Sequence, residues 1–214
     1  MRFVKGAEVF TATGEKIGTL NRVVIDAKSR DVTDLVIERS ALFKDEKVIP
    51  VGLVDLDNED RIVLRETNQS VDEFLDYETT HYVPIEQTGP PYENIETFYW
   101  YPPANYQFPT GGVLPSVMPD YVLRTEKSIP EGRVAIAEGA QVISRDEKQI
   151  GNVGQIIANS ETNHVTHFVV GKGFLLKEHK LVPANWISKV DEDKIYLSVE
   201  ARIFDRLPEF RPEA

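Results

Sequence analysis

The sequence predicts an all-β protein made of two small barrels, and three observations carry that prediction. An internal repeat runs through the chain: Gly6 to Tyr77 aligns without a gap onto Gly139 to Phe210 at a constant offset of 133 residues. Repetition of this kind means two copies of one fold. Within each copy, short β-branched runs alternate with polar or glycine-bearing turns, which is the pattern of a small barrel or sandwich. Each copy also ends on a short segment with helical signals.

The elements of the first copy follow in order. Glu8-Val9-Phe10 reads as a short strand and Thr13-Gly14-Glu15 as a turn, since glycine takes positive φ without steric cost. Lys16 to Asp26 carries Ile17, Val23, Val24 and Ile25 and reads as a long strand. Polar residues 27–31 turn the chain into Val32 to Arg39. Lys47-Val48-Ile49-Pro50 is a strand whose proline, lacking an amide hydrogen, belongs at its end or at an edge. Arg61 to Leu64 is the last strand. Ser70 with Glu73 three residues on has capping-box spacing, predicting a short helix that turns Phe74 and Leu75 inward. The second copy repeats this order, with strands at 141–143, 149–158, 165–171, 180–183 and 194–199, and a helical turn around Ile203 to Leu207. Trp186 answers Leu53 and reads as a core or rim position.

These boundaries divide the chain into repeat 1 (1–77), a connecting segment (78–138) and repeat 2 (139–214). The middle is rich in Pro and Tyr and reads as irregular, with Phe98-Tyr99-Trp100-Tyr101-Pro102-Pro103 at its centre. Each copy is expected to close around its own apolar interior.

The order Gly-Ala-x-Val, turn, Ile-Gly, apolar strand, polar turn, Val-Thr-x-x-Val-Val, loop, Lys-Val-x-Pro, acidic turn and Ile-x-Leu runs through both copies, with Lys47-Val48-Ile49-Pro50 answered by Lys180-Leu181-Val182-Pro183. It resembles the PRC-barrel, the small β-barrel of the photosynthetic reaction centre H subunit and of a ribosome maturation factor. The resemblance implies a six-stranded barrel with a short helix near its end. It implies assembly and protein contact rather than catalysis. The membrane helix of the H subunit and the other domain of the maturation factor have no counterpart here, so neither function transfers directly.

Chemistry-bearing patterns are sparse. The chain has no cysteine, which excludes disulfides and thiolate sites. His164 and His167 are spaced three apart, which on a strand puts them on opposite faces. No metal site, cofactor or catalytic set is expected. A net charge of −11 without a basic stripe argues against direct nucleic-acid binding. No apolar run is long enough to span a membrane and no signal-peptide core opens the chain, so a cytoplasmic protein is expected. Peripheral membrane association and a homo-oligomer stay open.

The expectation is therefore a non-catalytic protein-binding or assembly module, not an enzyme. Two other readings remain: a peripheral component of a membrane electron-transfer complex, and a small-molecule sensor using the inter-barrel cleft. Candidate contact residues are Phe98, Tyr99, Trp100 and Tyr101, because Tyr and Trp bury large area with few rotatable bonds. Phe174, Leu175 and Leu176 form an apolar loop in the second copy and are further candidates.

Overall fold

In the computed structural model, the structure describes residues 1–40, 45–58, 61–65, 70–84, 121–137, 139–172 and 178–211. The first copy supplies β2 (Glu8–Phe10), β3 (Lys16–Asp26), β4 (Val32–Ser40), β5 (Asp45–Pro50), β6 (Val54–Asn58) and β7 (Arg61–Leu64). The second supplies β11 (Gln141–Ile143), β12 (Gln149–Ala158), β13 (Val165–Lys172), β14 (Glu178–Pro183), β15 (Ile187–Val190) and β16 (Lys194–Leu197). Each set forms one curled sheet of the same order, β5-β4-β3-β2-β7-β6 and β14-β13-β12-β11-β16-β15. The all-β fold and the twofold repetition are as the sequence predicts.

Each sheet has a seventh strand, and it comes from outside the aligned repeat. β1 (Arg2–Val4) pairs antiparallel with β12 of the second sheet, Phe3 opposite Ile156. β10 (Arg133–Ala137) pairs antiparallel with β3 of the first sheet, Ile136 opposite Val23. Arg2–Val4 and Ala135–Ala137 are themselves related by the repeat offset, so the two copies exchange equivalent leading strands. A β-bulge makes the exchange feasible. Register shifts between Leu20 and Arg22 in β3, and at the matching Val153 and Gln155 in β12. On one side of the bulge β3 pairs with its own copy's β2; on the other it pairs with the borrowed β10. A bulge bends the strand and re-aims it, which divides one long strand between two partners.

The interiors expected to be separate run together. One cluster of buried residues spans both sheets, from Val9, Leu35 and Ile62 to Val142, Phe168 and Ile195, with Phe3 and Ile136 of the exchanged strands among its members. The sequence reading places residues 133–137 in the irregular middle, whereas they form this shared strand. Burying Ala135 and Ile136, both at most 1% exposed, outweighs the polar character of the residues around them.

The two terminal segments differ from each other. The first ends in a 3-10 turn, Val71–Glu73, in which Ser70 makes no side-chain cap. The expected capping box does not form: the Glu73 N–H that the Ser70 hydroxyl would cap donates to the Ser70 carbonyl instead, at 3.0 Å. Phe74 is buried, but Leu75 is 66% exposed, correcting the expectation that both point inward. The second ends in α1 (Ala201–Asp205). Here the carboxylate of Asp146 accepts the Ala201 N–H at 2.8 Å, while the matching residue of the first copy is Thr13. An acceptor at the N-terminus satisfies an orphan donor of the first turn and favours α-helix. Side-chain volumes are exchanged to match: Val71 and Phe74 in one copy stand where Phe204 and Leu207 stand in the other.

Residues 78–127 form a separate unit. In it, β8 (Glu78–Pro84) and β9 (Tyr121–Lys127) pair antiparallel over their whole length, Glu78 opposite Lys127 and Thr80 opposite Thr125. The ends of the connecting segment are thus strand, where the sequence reading has irregular chain.

Candidate protein-interaction surface

Positions shared by the copies hold the fold. Gly18 and Gly151 are equivalents, and a Cβ on either would lie 2.5 Å from a backbone oxygen, of Glu38 or of Gly171. Thr33 and Thr166 donate their hydroxyls to the carbonyls of Val24 and Ile157. Lys47 and Lys180 are buried, 8% and 6% exposed. The Lys180 ammonium donates to the carbonyls of Asp205 and Leu207 at 2.7 and 2.9 Å. That of Lys47 donates to Asp72 and Phe74 at 3.5 and 3.3 Å, and also pairs with the Asp76 carboxylate at 2.6 Å. Each lysine therefore clamps the terminal turn of its own copy by supplying donors to carbonyls that the short turn leaves unpaired.

The seam between the copies is built from equivalent residues facing each other. Asp31 and His164, one repeat apart, form an antiparallel bridge, flanked by Val32 N–H to Asn163 C=O and Val165 N–H to Arg30 C=O, each at 2.9 Å. The His164 Nδ1 lies 2.9 Å from the Asp31 carboxylate. That hydrogen bond lowers the Asp31 pKa from its ordinary value. Arg30 and Asn163 both take positive φ, 63° and 59°, to make this turn. The Arg30 guanidinium reaches across to the Ile187 carbonyl at 3.0 Å. A narrow cleft lies at the seam among Phe3, Leu20, Val23 and their equivalents Ile136, Val153 and Ile156, with room for about one water molecule. Arg22 and Gln155, also equivalents, border it. The Arg22 guanidinium sits 5.6 Å from the Tyr77 ring centre.

The outward faces of the two sheets diverge. On the first, Val24, Val36, Val48 and Ala135 make a second buried cluster capped by Tyr77, which is 0% exposed, with Ile129 packed beside it. Residues 128–133 seal it: Ser128 N–H donates to Tyr77 C=O at 2.9 Å, Ala27 N–H donates to Gly132 C=O at 3.0 Å, and the Arg133 guanidinium donates to buried Asp34 at 2.8 Å. On the second, the equivalent residues are Ile157, Val169, Leu181, Arg2 and Phe210. Val169 is buried, but Ile157, Leu181 and Phe210 are only half-buried. Phe210 keeps the edge contact of Tyr77, donating its N–H to His179 C=O at 2.6 Å as Tyr77 donates to Glu46.

Phe98, Tyr99, Trp100, Tyr101, Phe174, Leu175 and Leu176 lie outside the described residues. His164 lies at the seam, bridged to Asp31, while His167 shares the outer side of β13 with Val169. Trp186 is half-buried against the core, at the rim position its match with Leu53 indicates. The outer faces were not among the sequence-derived candidates. Their signal is the repeat alignment itself, in which Asp34, Glu46 and Tyr77 are answered by His167, His179 and Phe210.

A pair of curled β-sheets tied by exchanged strands, with repeated interior positions and unlike outer faces, defines a duplicated small-barrel protein. The PRC-barrel domain family matches residues 3–70 and 137–202, and the chain belongs to that family. No curated protein matches the chain. Among the described residues no helix is long and apolar enough to cross a membrane.

Proposed function

We propose that the chain is a non-catalytic binding and assembly module in which the outer face of the first sheet is sealed from within and that of the second is left for a partner. The observation that carries this reading is the contrast between interior and outer faces. Interior positions such as Val9/Val142, Leu35/Phe168 and Ile62/Ile195 stay apolar and buried in both copies, while the outward positions change in charge, size and burial. Asp34 is held by Arg133 of the segment that covers the first face, and His167 in its place has no such partner among the described residues, while Gly18, Thr33 and Lys47 are the same in both copies. The seam cleft, with room for about one water, gives little support to a small-molecule sensor. The aromatic run Phe98 to Tyr101 and the loop Phe174 to Leu176 remain contact candidates on sequence grounds.

Affinity capture from the native cell tests the reading, using the full chain, a variant with Phe98, Tyr99, Trp100 and Tyr101 changed to Ala, and a tag-only control. Reproducible enrichment of a partner over the control is expected. Enrichment no greater than the control would overturn the module reading. Equal recovery by the variant would remove the aromatic run from the contact.

A further inference from the structure

We infer that the outer face of the second sheet is a docking seat for an extended segment of a partner protein, one that carries a β-branched apolar residue followed four positions on by a carboxylate. The inference rests on the binding-module reading and deepens it. The molecule contains its own template for the occupant, because residues 128–133 fill the equivalent seat on the first sheet.

Each backbone contact of that template has a counterpart left open among the described residues. Ser128 N–H bonds the Tyr77 carbonyl; the Phe210 carbonyl accepts no hydrogen bond among the described residues. Ala27 N–H bonds the Gly132 carbonyl; the N–H of its equivalent, Ser160, donates to none of the described residues. Ile129 packs on a cluster that is fully covered, whereas Ile157, Leu181 and Phe210 present the matching apolar strip half-buried. Backbone groups are strong donors and acceptors, so an extended chain gains most where they stand ready along a sheet face or edge.

Charge fixes the last feature of the partner. Arg133 of the template pairs with Asp34, and His167 stands in the place of Asp34. An arginine four residues after the apolar anchor suits the first face; on the second, a carboxylate accepts the histidine ring N–H instead. The buried Nδ1 of His179, at the place of Glu46, also has no partner among the described residues. The two seats therefore present different polar groups, a carboxylate at Asp34 and imidazoles at His167 and His179, which directs different segments to each.

Because residues 128–133 lead directly into β10, the same lead placed ahead of Met1 and β1 would lie over the second face. The test is a full chain extended at its N-terminus by Ser-Ile-Pro-Glu-Gly-Glu, a graft that raises the local concentration of the segment into the millimolar range, roughly. Hydrogen exchange at the Ser160 amide should slow by about tenfold, and Tm should rise by a few degrees. Aspartate in place of the graft's isoleucine, or Leu181→Asp in the body, should abolish the protection, and arginine in place of the final glutamate should weaken it. No protection at Ser160, or equal protection by the aspartate graft, overturns the seat. Partner capture by the unmodified chain decides the module reading separately: capture unaffected by Leu181→Asp overturns the seat and leaves the module standing.

Discussion

The outer face of the first sheet is sealed by Tyr77 and Ile129, while its counterpart leaves Ile157, Leu181 and Phe210 half-buried. Beneath these faces the sheets have the same strand order, the same bulge and the same lysine clamp. Duplication freed one face from the need to match the other, provided that the shared interior stayed intact. The largest expected effect tests this directly. Tyr77→Ala removes a fully buried ring and should cost about 3–5 kcal/mol, whereas Phe210→Ala should cost about half that, since part of its surface is already in water. Urea unfolding of both variants checks the ratio; equal costs would mean that the second face is as closed as the first. Because one core spans both sheets, each variant should shift a single transition.

Interior equivalence predicts the opposite behaviour, namely equal effects in both copies. Gly18→Ala and Gly151→Ala each place a Cβ 2.5 Å from a carbonyl oxygen of the neighbouring strand, where the ladder cannot give without breaking hydrogen bonds. Each should destabilise by about 1–3 kcal/mol. Costs matching within about 0.5 kcal/mol would confirm that the copies are interchangeable at this level. A large disparity would place the interior divergence in the sheet itself.

The strands were legible because β-branched runs such as Leu35-Val36-Ile37 and Phe168-Val169-Val170 have few other ways to bury themselves. The strand exchange was not, for a physical reason. Phe3 and Ile136 are equivalent, so either could pair within its own copy or across without changing the local pattern, and periodicity reports which face a residue shows rather than whose strand it pairs with. Leu75 misled because adjacent residues cannot both enter a core from a single turn, and Phe74 takes the place. The outer faces needed a comparison of one copy with the other at Asp34 and His167, since neither residue is unusual alone.

Between these extremes sit the lysine clamps. Lys47→Met and Lys180→Met keep the buried stem and remove the ammonium, leaving two carbonyls of each terminal turn without that donor. The expected cost is about 1–3 kcal/mol each. The Lys180 change should be the larger, because its bonds at 2.7 and 2.9 Å are shorter than the 3.5 and 3.3 Å bonds of Lys47. The Lys47 pairing with Asp76 offsets little of this, Asp76 being well exposed. Thermal unfolding ranks the two; the reverse order would show that the ion pair outweighs bond geometry.

The smallest effect separates the two terminal turns. The Asp146 carboxyl is held well below the usual carboxylate range, first by the Ala201 N–H and then by Lys148 and Ser144. A carboxyl depressed in the folded state stabilises it at every pH above its unfolded value, about 3.9, and this contribution disappears as pH falls through the folded value. The first copy has Thr13 at this position and no matching carboxylate. Acidification below about pH 4 should therefore loosen α1 before the 3-10 turn Val71–Glu73, with amide exchange in 201–205 rising first. Asp146→Asn keeps an acceptor oxygen without the charge and should flatten that dependence. If exchange in 201–205 stayed pH-dependent in the Asn variant, the acid sensitivity would belong to Asp205, whose carboxyl is also lowered, chiefly by its bond to Lys172. Lys172→Met would then remove it, which makes the pair of variants sufficient to say whether the helix of the second copy is held from its start or from its end.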